Sequence, residues 1–139
     1  MNNLKQLNTE ALAYMGDAVF EQYIREMLLR KGIAKPSNLH RAATEYVRAQ
    51  AQAKAIKTLM GIGKKDGAQD LTPELTEEEQ HIVKRGRNHK FNSKAKNADP
   101  VTYKWATAFE ALVGYLYLSD RGERLAWLMK RAVEIQNGE

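Results

Sequence analysis

The chain has 139 residues and a formal net charge of +5, the scale of one domain able to bury a real core, with no room for a second folded module of any size. It has no cysteine, which excludes disulfides and thiolate metal sites. Its three histidines, His40, His81 and His89, show no zinc-type pairing, so a bound metal would be a hard cation held by oxygen. The positive charge suits a polyanionic partner but does not establish one, since many basic proteins bind no nucleic acid.

The amino terminus, MNNLKQLNTE, has no apolar signal core, and no stretch is long enough to span a membrane. A cytoplasmic protein is the expectation. Asn8 or Thr9 should cap a first helix that runs to Arg30 or Lys31 and stops at Gly32. At about 100° per residue, Leu12, Met15, Val19, Tyr23 and Met27 share one face. Glu10, Asp17 and Glu21 fall within about 40° of one another on a different face. Asp17 lies between Gly16 and Ala18 in AYMGDAVF, a run that otherwise has the marks of a core helix. A carboxylate packed into a core is costly without a partner, and a metal ion is one such partner. The competing reading is a solvated acidic edge.

After a connector at Ile33 to Pro36, Ser37 should cap a second long helix, Asn38 to about Met60. Leu39, Ala42, Ala43, Tyr46, Val47, Gln50, Ala53, Ile56 and Met60 mark its inward face. Arg41, Arg48, Lys54 and Lys57 project elsewhere, as a solvated basic face or as one that touches phosphates. Residues 61–75, opening on GIGKKDGAQDLTP, read as a surface loop. Thr76 should cap the next helix, whose positive end suits Glu77, Glu78 and Glu79. That helix turns Ile82 and Val83 inward and ends in KRGRNHK.

FNSKAKNA follows without periodicity. Together the two runs hold Lys84, Arg85, Arg87, Lys90, Lys94 and Lys96 and no acid, the densest positive segment of the chain. Residues 90–98 accordingly read as a basic, phosphate-binding loop. The alternative is that cations such as Arg85 and Arg87 serve the helix C-terminus or its capping. Asp99-Pro100 starts a further helix, Asp as cap and Pro at the first helical position. Trp105, Phe109, Leu112, Val113 and Leu116 form its apolar face, Glu110 lies at that face's edge, and Gly114 lets another helix approach closely. Ser119 and Asp120 should open the last helix, with Leu125, Trp127, Leu128, Met129 and Val133 inward. No β pattern and no internal repeat is present. The expectation is all-α, a single-domain helical bundle of about five major helices.

Two acids, Asp17 and Glu110, thus sit among small and apolar neighbours on different helices, which suggests a carboxylate metal site between them. Mg²⁺ keeps several of its waters and asks for few protein ligands.

LAYMGDAVFE resembles the signature helix of the ribonuclease III nuclease domain, and TAFEALVGYLYL resembles its closing helix. The short chain, and KRGRNHK between the two, point to the Mini-ribonuclease III branch. GDAVFE alone is a weak signal; the three motifs in this order and spacing are a strong one, and they cover nearly the whole chain. The resemblance implies a homodimer of the ribonuclease III endonuclease fold that cuts each strand of double-stranded RNA with Mg²⁺, Mn²⁺ being able to substitute. It implies Asp17 and Glu110 as catalytic metal ligands, with Glu10 at a subunit or supporting contact; Glu21, the third member of the acidic stripe, is a further supporting acid or part of a solvated edge. It also implies precursor 23S ribosomal RNA as substrate, with a ribosomal protein as a further partner.

The basic segment, with Arg41 and Arg48, would track the phosphates. The larger enzymes append a double-stranded-RNA-binding domain; here the nuclease domain would have to supply the grip itself. Tyr14, Phe20 and Tyr23 are the apolar residues that could face a second subunit. Two positions depart from the larger enzymes. A metal-site Glu four residues before the Asp is Ala13 here, and an Asp three residues before the final Glu is Thr107. These losses argue against a tightly held second metal and for activity that depends more on metal concentration. Two rival readings remain: a catalytically weak or inactive RNA-binding or ribosome-assembly module on the same fold, and a generic helical interaction protein.

Overall fold

The computed structural model describes residues 4–63, 71–90 and 99–139. After a 3-10 turn at Leu4–Gln6, six helices follow: α1 Thr9–Arg30, α2 Pro36–Val47, α3 Ala49–Leu59, α4 Glu77–Asn88, α5 Pro100–Leu118 and α6 Gly122–Gln136. No strand occurs among the described residues. The all-α expectation therefore holds, and no helix among these residues is long and apolar enough to cross a membrane.

The centre of the bundle is α5. Every residue from Trp105 to Leu116 is buried except Glu110, which is partly exposed. Asp99 starts it as expected: its Oδ1 accepts from Thr102 N at 2.9 Å, and Pro100 takes the first turn, where a missing N–H does no harm. Helices α1, α3, α4 and α6 all pack against α5. Phe20 of α1 meets Phe109 of α5 edge to face, with ring centroids 5.0 Å apart, the arrangement the ring quadrupoles favour. Phe20 is thus core and is not available to a second subunit.

The buried stripe of α1 is Leu12, Ala13, Gly16, Val19, Phe20, Ile24 and Leu28. That stripe is rotated from the expected face, since Met15, Tyr23 and Met27 lie at its half-buried edge. The rotation follows from Gly16: the small side of α1, rather than its bulkiest side, is the one that fits against another helix backbone.

The expected long second helix is two. Arg48 adopts extended geometry, φ −68° and ψ 156°, ending α2 and starting α3. Pro36 at the first turn, after Lys35, starts α2 in place of the expected Ser37 cap. The break has a packing reason. Helix α2 lies on α1 and has no fully buried residue, whereas α3 packs against α5 and α6. Past the break the inward stripe is Gln52, Ala55, Ile56 and Leu59, with Ala53 beside it, and Gln50 is exposed.

The last helix also starts later than expected. Helix α5 continues to Leu118, Ser119 is its C-cap, Asp120 turns the chain at φ 59°, and Arg121 precedes α6. Its expected inward residues Leu125, Leu128, Met129 and Val133 are buried. Trp127 is half-buried, with the Arg124 guanidinium 3.8 Å from its ring centroid.

Helix α4 is held by charge. Thr76 and Glu79 form a reciprocal capping box at its start. Glu79, fully buried, also accepts two bonds from Arg124 at 2.8 Å. Burial pushes the Glu79 carboxyl up, but the bonds from Arg124 and Thr76 outweigh it and hold the group below its ordinary value. Glu78 pairs with Arg121, and Glu74 with Arg131 at 2.7 Å, so α6 is tied to this end of α4. In the expected 61–75 loop the ends are fastened, Leu71 N to Gly61 O at 3.0 Å and Glu74 N to Leu59 O at 2.9 Å. Residues 64–70 and 91–98 of the two expected loops, Lys94 and Lys96 included, lie outside the described residues.

Candidate active site

Helices α1 and α5 cross where each has a glycine. A Cβ on Gly16 would stand 1.7 Å from the carbonyl oxygen of Glu110, and one on Gly114 would stand 2.0 Å from that of Leu12. Only hydrogen fits at either place, so the backbones touch. Asp17 follows Gly16 directly, and Glu110 is the residue whose backbone Gly16 meets. The crossing therefore brings the two carboxyl groups together, as their sequence setting suggested.

The two acids differ in environment. Asp17 is exposed, while Glu110 is largely withdrawn from water. The desolvation expected at Asp17 therefore falls on Glu110, because Asp17 lies beside the buried stripe of α1 and outside it, whereas α5 is buried on nearly all sides. Burial first, then the hydrogen bond to Asp17 and its negative charge, push the Glu110 carboxyl up to about 9 from 4.5. The Gln52 amide of α3 pulls the other way, toward the ionised form.

Such a pair needs a positive charge between its oxygens, either a shared proton or a cation. A hard divalent ion fits this oxygen donor set, and Asp17 and Glu110 are the residues that could hold it. Among the described residues no group of three or more acidic, histidine or cysteine side chains forms a metal-binding set. A cation here would keep much of its water shell, which suits Mg²⁺. Ala13 and Thr107, where acids were missed, are both buried and packed.

The remaining predicted residues disperse. Glu10 bonds His89, the C-cap of α4, at 3.1 Å, fastening the basic end of α4 to the start of α1. Glu21 pairs with Arg25 one turn along its own helix at 2.9 Å. Arg85 Nη2 donates to the Leu7 carbonyl at 3.0 Å, so this cation holds the N-terminal turn. Arg87 stacks on Trp105 with 5.2 Å to the ring centroid, and Lys57 approaches the same ring at 6.0 Å. Lys84, Lys90 and Arg41 are exposed, and Arg48 pairs with Glu45 at 3.4 Å.

Sequence reasoning missed Gln52. The signal was present: Gln52, Ala55, Ile56 and Leu59 have the spacing of one helix face. It was hidden because the stripe was carried across the break at Arg48, which turned Gln50 inward instead.

The family model described as "Ribonuclease III domain" matches residues 10–121, a span that includes both crossing glycines and both acids. The chain belongs to the ribonuclease III family. Within the ribonuclease III family it groups with proteins named "Mini-ribonuclease 3". It is 48% identical to that of Brevibacillus brevis, over 95% of this chain and 90% of the relative. It is 47% identical to that of Enterococcus faecalis, over 96% and 97%. A crystal structure of a Fusobacterium nucleatum protein superposes with a TM-score of 0.76 at 26% identity, covering 95% of this chain and 96% of that one. The chain is thus an endoribonuclease of the ribonuclease III family, and Asp17 and Glu110 stand in the two ribonuclease III helices that its sequence motifs mark.

Proposed function

We propose that this endoribonuclease cuts double-stranded RNA with a divalent cation held between Asp17 and Glu110, Mg²⁺ in the first place with Mn²⁺ as a substitute. The observation that carries the reading is the glycine crossing, which presses a largely desolvated carboxyl against an exposed one. When bound, the ion supplies an activated water and charge stabilisation for the leaving oxygen. The chain's own residues do the rest. Asp17 is open to an arriving phosphate, and Glu110 is held in place by the packing of α5. Lys84, Lys90, Arg87, Arg41 and Arg48, with Lys94 and Lys96, would meet phosphates along the duplex, whose shallow minor groove is read by shape. Arg85 is the exception, since its guanidinium already serves the Leu7 carbonyl.

The working form is a homodimer with two acid sites along one cleft, each cutting one strand to leave short 3′ overhangs. In its support, Tyr14 is 83% exposed on α1 only three residues before Asp17, an apolar surface beside the site. Membership of the Mini-ribonuclease 3 group supports precursor 23S ribosomal RNA as substrate, a ribosomal protein as presenting partner and the cytoplasm as the place of action. One observation favours a second reading, a weak or inactive RNA-binding module: Ala13 and Thr107 stand where the larger enzymes keep acids.

Incubation with duplex RNA and Mg²⁺ beside Asp17→Asn decides between them. The unaltered protein should cut, and the variant should bind without cutting. Equal cutting by both would remove Asp17 from the site, and binding without cutting by both would establish the second reading.

A further inference from the structure

Gln52 is 2% exposed, yet its Nε2 has no hydrogen-bond partner among the described residues. A buried donor left unsatisfied carries an uncompensated desolvation cost, so a native fold rarely keeps one without a use for it. The rest of the inward stripe of α3 is Ala55, Ile56 and Leu59, and a leucine in place of Gln52 would complete it. The amide instead lies against Glu110, where α3 packs on α5, although Nε2 lacks good bonding geometry to that carboxyl. The comparable glutamine, Gln136, leaves its Oε1 unpaired but has a structural task, since its Nε2 donates to the Tyr46 and Ala51 carbonyls at 3.2 Å. Gln52 Nε2 has none.

We propose that Gln52 is the positioning residue of the metal site: its Nε2 donates to the Glu110 oxygen that does not hold the cation, and so aims the other one at it. The proposal rests on the reading of Asp17 and Glu110 as cation ligands. It accounts for the idle donor, because the acceptor adopts its working position only when Glu110 turns one oxygen to a cation. It also bears on how so sparse a site can work. With no carboxylate at Ala13 or Thr107, the orientation of Glu110 depends on partners behind it, and such supporting bonds to metal ligands are worth about 10- to 100-fold in affinity.

The test compares the full-length protein with Gln52→Leu, first without RNA. Mn²⁺ binding is followed by electron paramagnetic resonance and calorimetry, and thermal midpoints are taken in chelator. The variant should fold with an unchanged or raised midpoint, since an unpaired buried donor is gone, yet bind Mn²⁺ about 10- to 100-fold more weakly. With duplex RNA, its half-saturating Mg²⁺ should rise by a similar factor, while kcat at saturating Mg²⁺ falls less. Gln52→Met, an unbranched chain of similar length, takes the same measurements should Gln52→Leu fail to fold.

Mn²⁺ affinity within twofold of the unaltered protein would overturn the proposal. So would loss of folding in both variants, which would make Gln52 a packing residue. If the unaltered protein itself binds no Mn²⁺, the metal-site reading fails, and this one with it.

Discussion

Replacing Glu110 by Gln should abolish cleavage and, in the metal-free protein, stabilise the fold. The carboxyl that goes from 4.5 in the unfolded chain to about 9 in the folded one holds an extra proton in the native state throughout that range. Unfolding free energy then falls as pH rises, at most about 1.4 kcal/mol per pH unit. The contribution is fully present below 4.5 and is lost as pH climbs toward 9, the reverse of a salt-bridged acid. At pH 7.5 the loss reaches about 4 kcal/mol, which for a chain of this size lowers the thermal midpoint by on the order of 10 °C. Gln keeps the shape and the hydrogen bond without the charge, so the variant's midpoint should not follow this trend.

The assay is a series of thermal melts in chelator from pH 5 to 9, with and without saturating Mg²⁺. The two proteins should melt alike at the acid end and separate as pH rises, with Glu110→Gln the more stable. Mg²⁺ should restore the unaltered protein by binding its native state and leave the variant unmoved. A gap between the two that is the same at every pH would refute the claim that Glu110 is a desolvated acid pressed against Asp17.

Other perturbations reach the same architecture from different sides. Gly16→Ala would place a methyl 1.7 Å from the Glu110 carbonyl oxygen, so α1 and α5 must part. It should cost about 3 kcal/mol in urea denaturation, and cleavage should fall further than the folded fraction explains; full activity would contradict the crossing. Glu79→Gln breaks the pairing with Arg124 and should cost about 3 kcal/mol at neutral pH. Because the Glu79 carboxyl lies below its ordinary value, that stability is present at neutral pH and lost on acidification, so acid titration of the denaturant midpoint should be shallower in the variant. Arg85→Ala removes the bond to Leu7 and should cost about 1–2 kcal/mol. Lys84→Ala and Lys90→Ala should leave stability alone, while each lowers the salt slope of duplex binding by about 1. An Arg85→Ala protein with full stability but a flattened salt slope would reverse these assignments.

Much of the scaffold was legible because local chemistry writes it. Asn8, Thr76 and Asp99 each cap a helix through a side chain whose type announces the role. The errors lie where a local signal was overruled from a distance. Nothing in the residues around Arg48 forbids a continuing helix; the break exists because α2 follows α1 while α3 follows α5 and α6. The same break hid Gln52, since a face read by periodicity is right only as long as the helix is unbroken. The true core face of α1 was missed for a related reason, since bulk predicted it and backbone proximity decided it.

The sequence by itself determined that the chain is helical, that Asp17 and Glu110 lie on two small-residue helix faces, and that its positive charge gathers around α4. Propensity, capping and motif spacing are properties of neighbouring residues, and these survive any packing. Tertiary structure decided which acid is desolvated, which cations are engaged in holding the fold, and that an amide from a third helix stands behind the site. Those outcomes depend on distances between segments far apart in the chain. For the acid pair they follow from two glycines that let α1 and α5 touch.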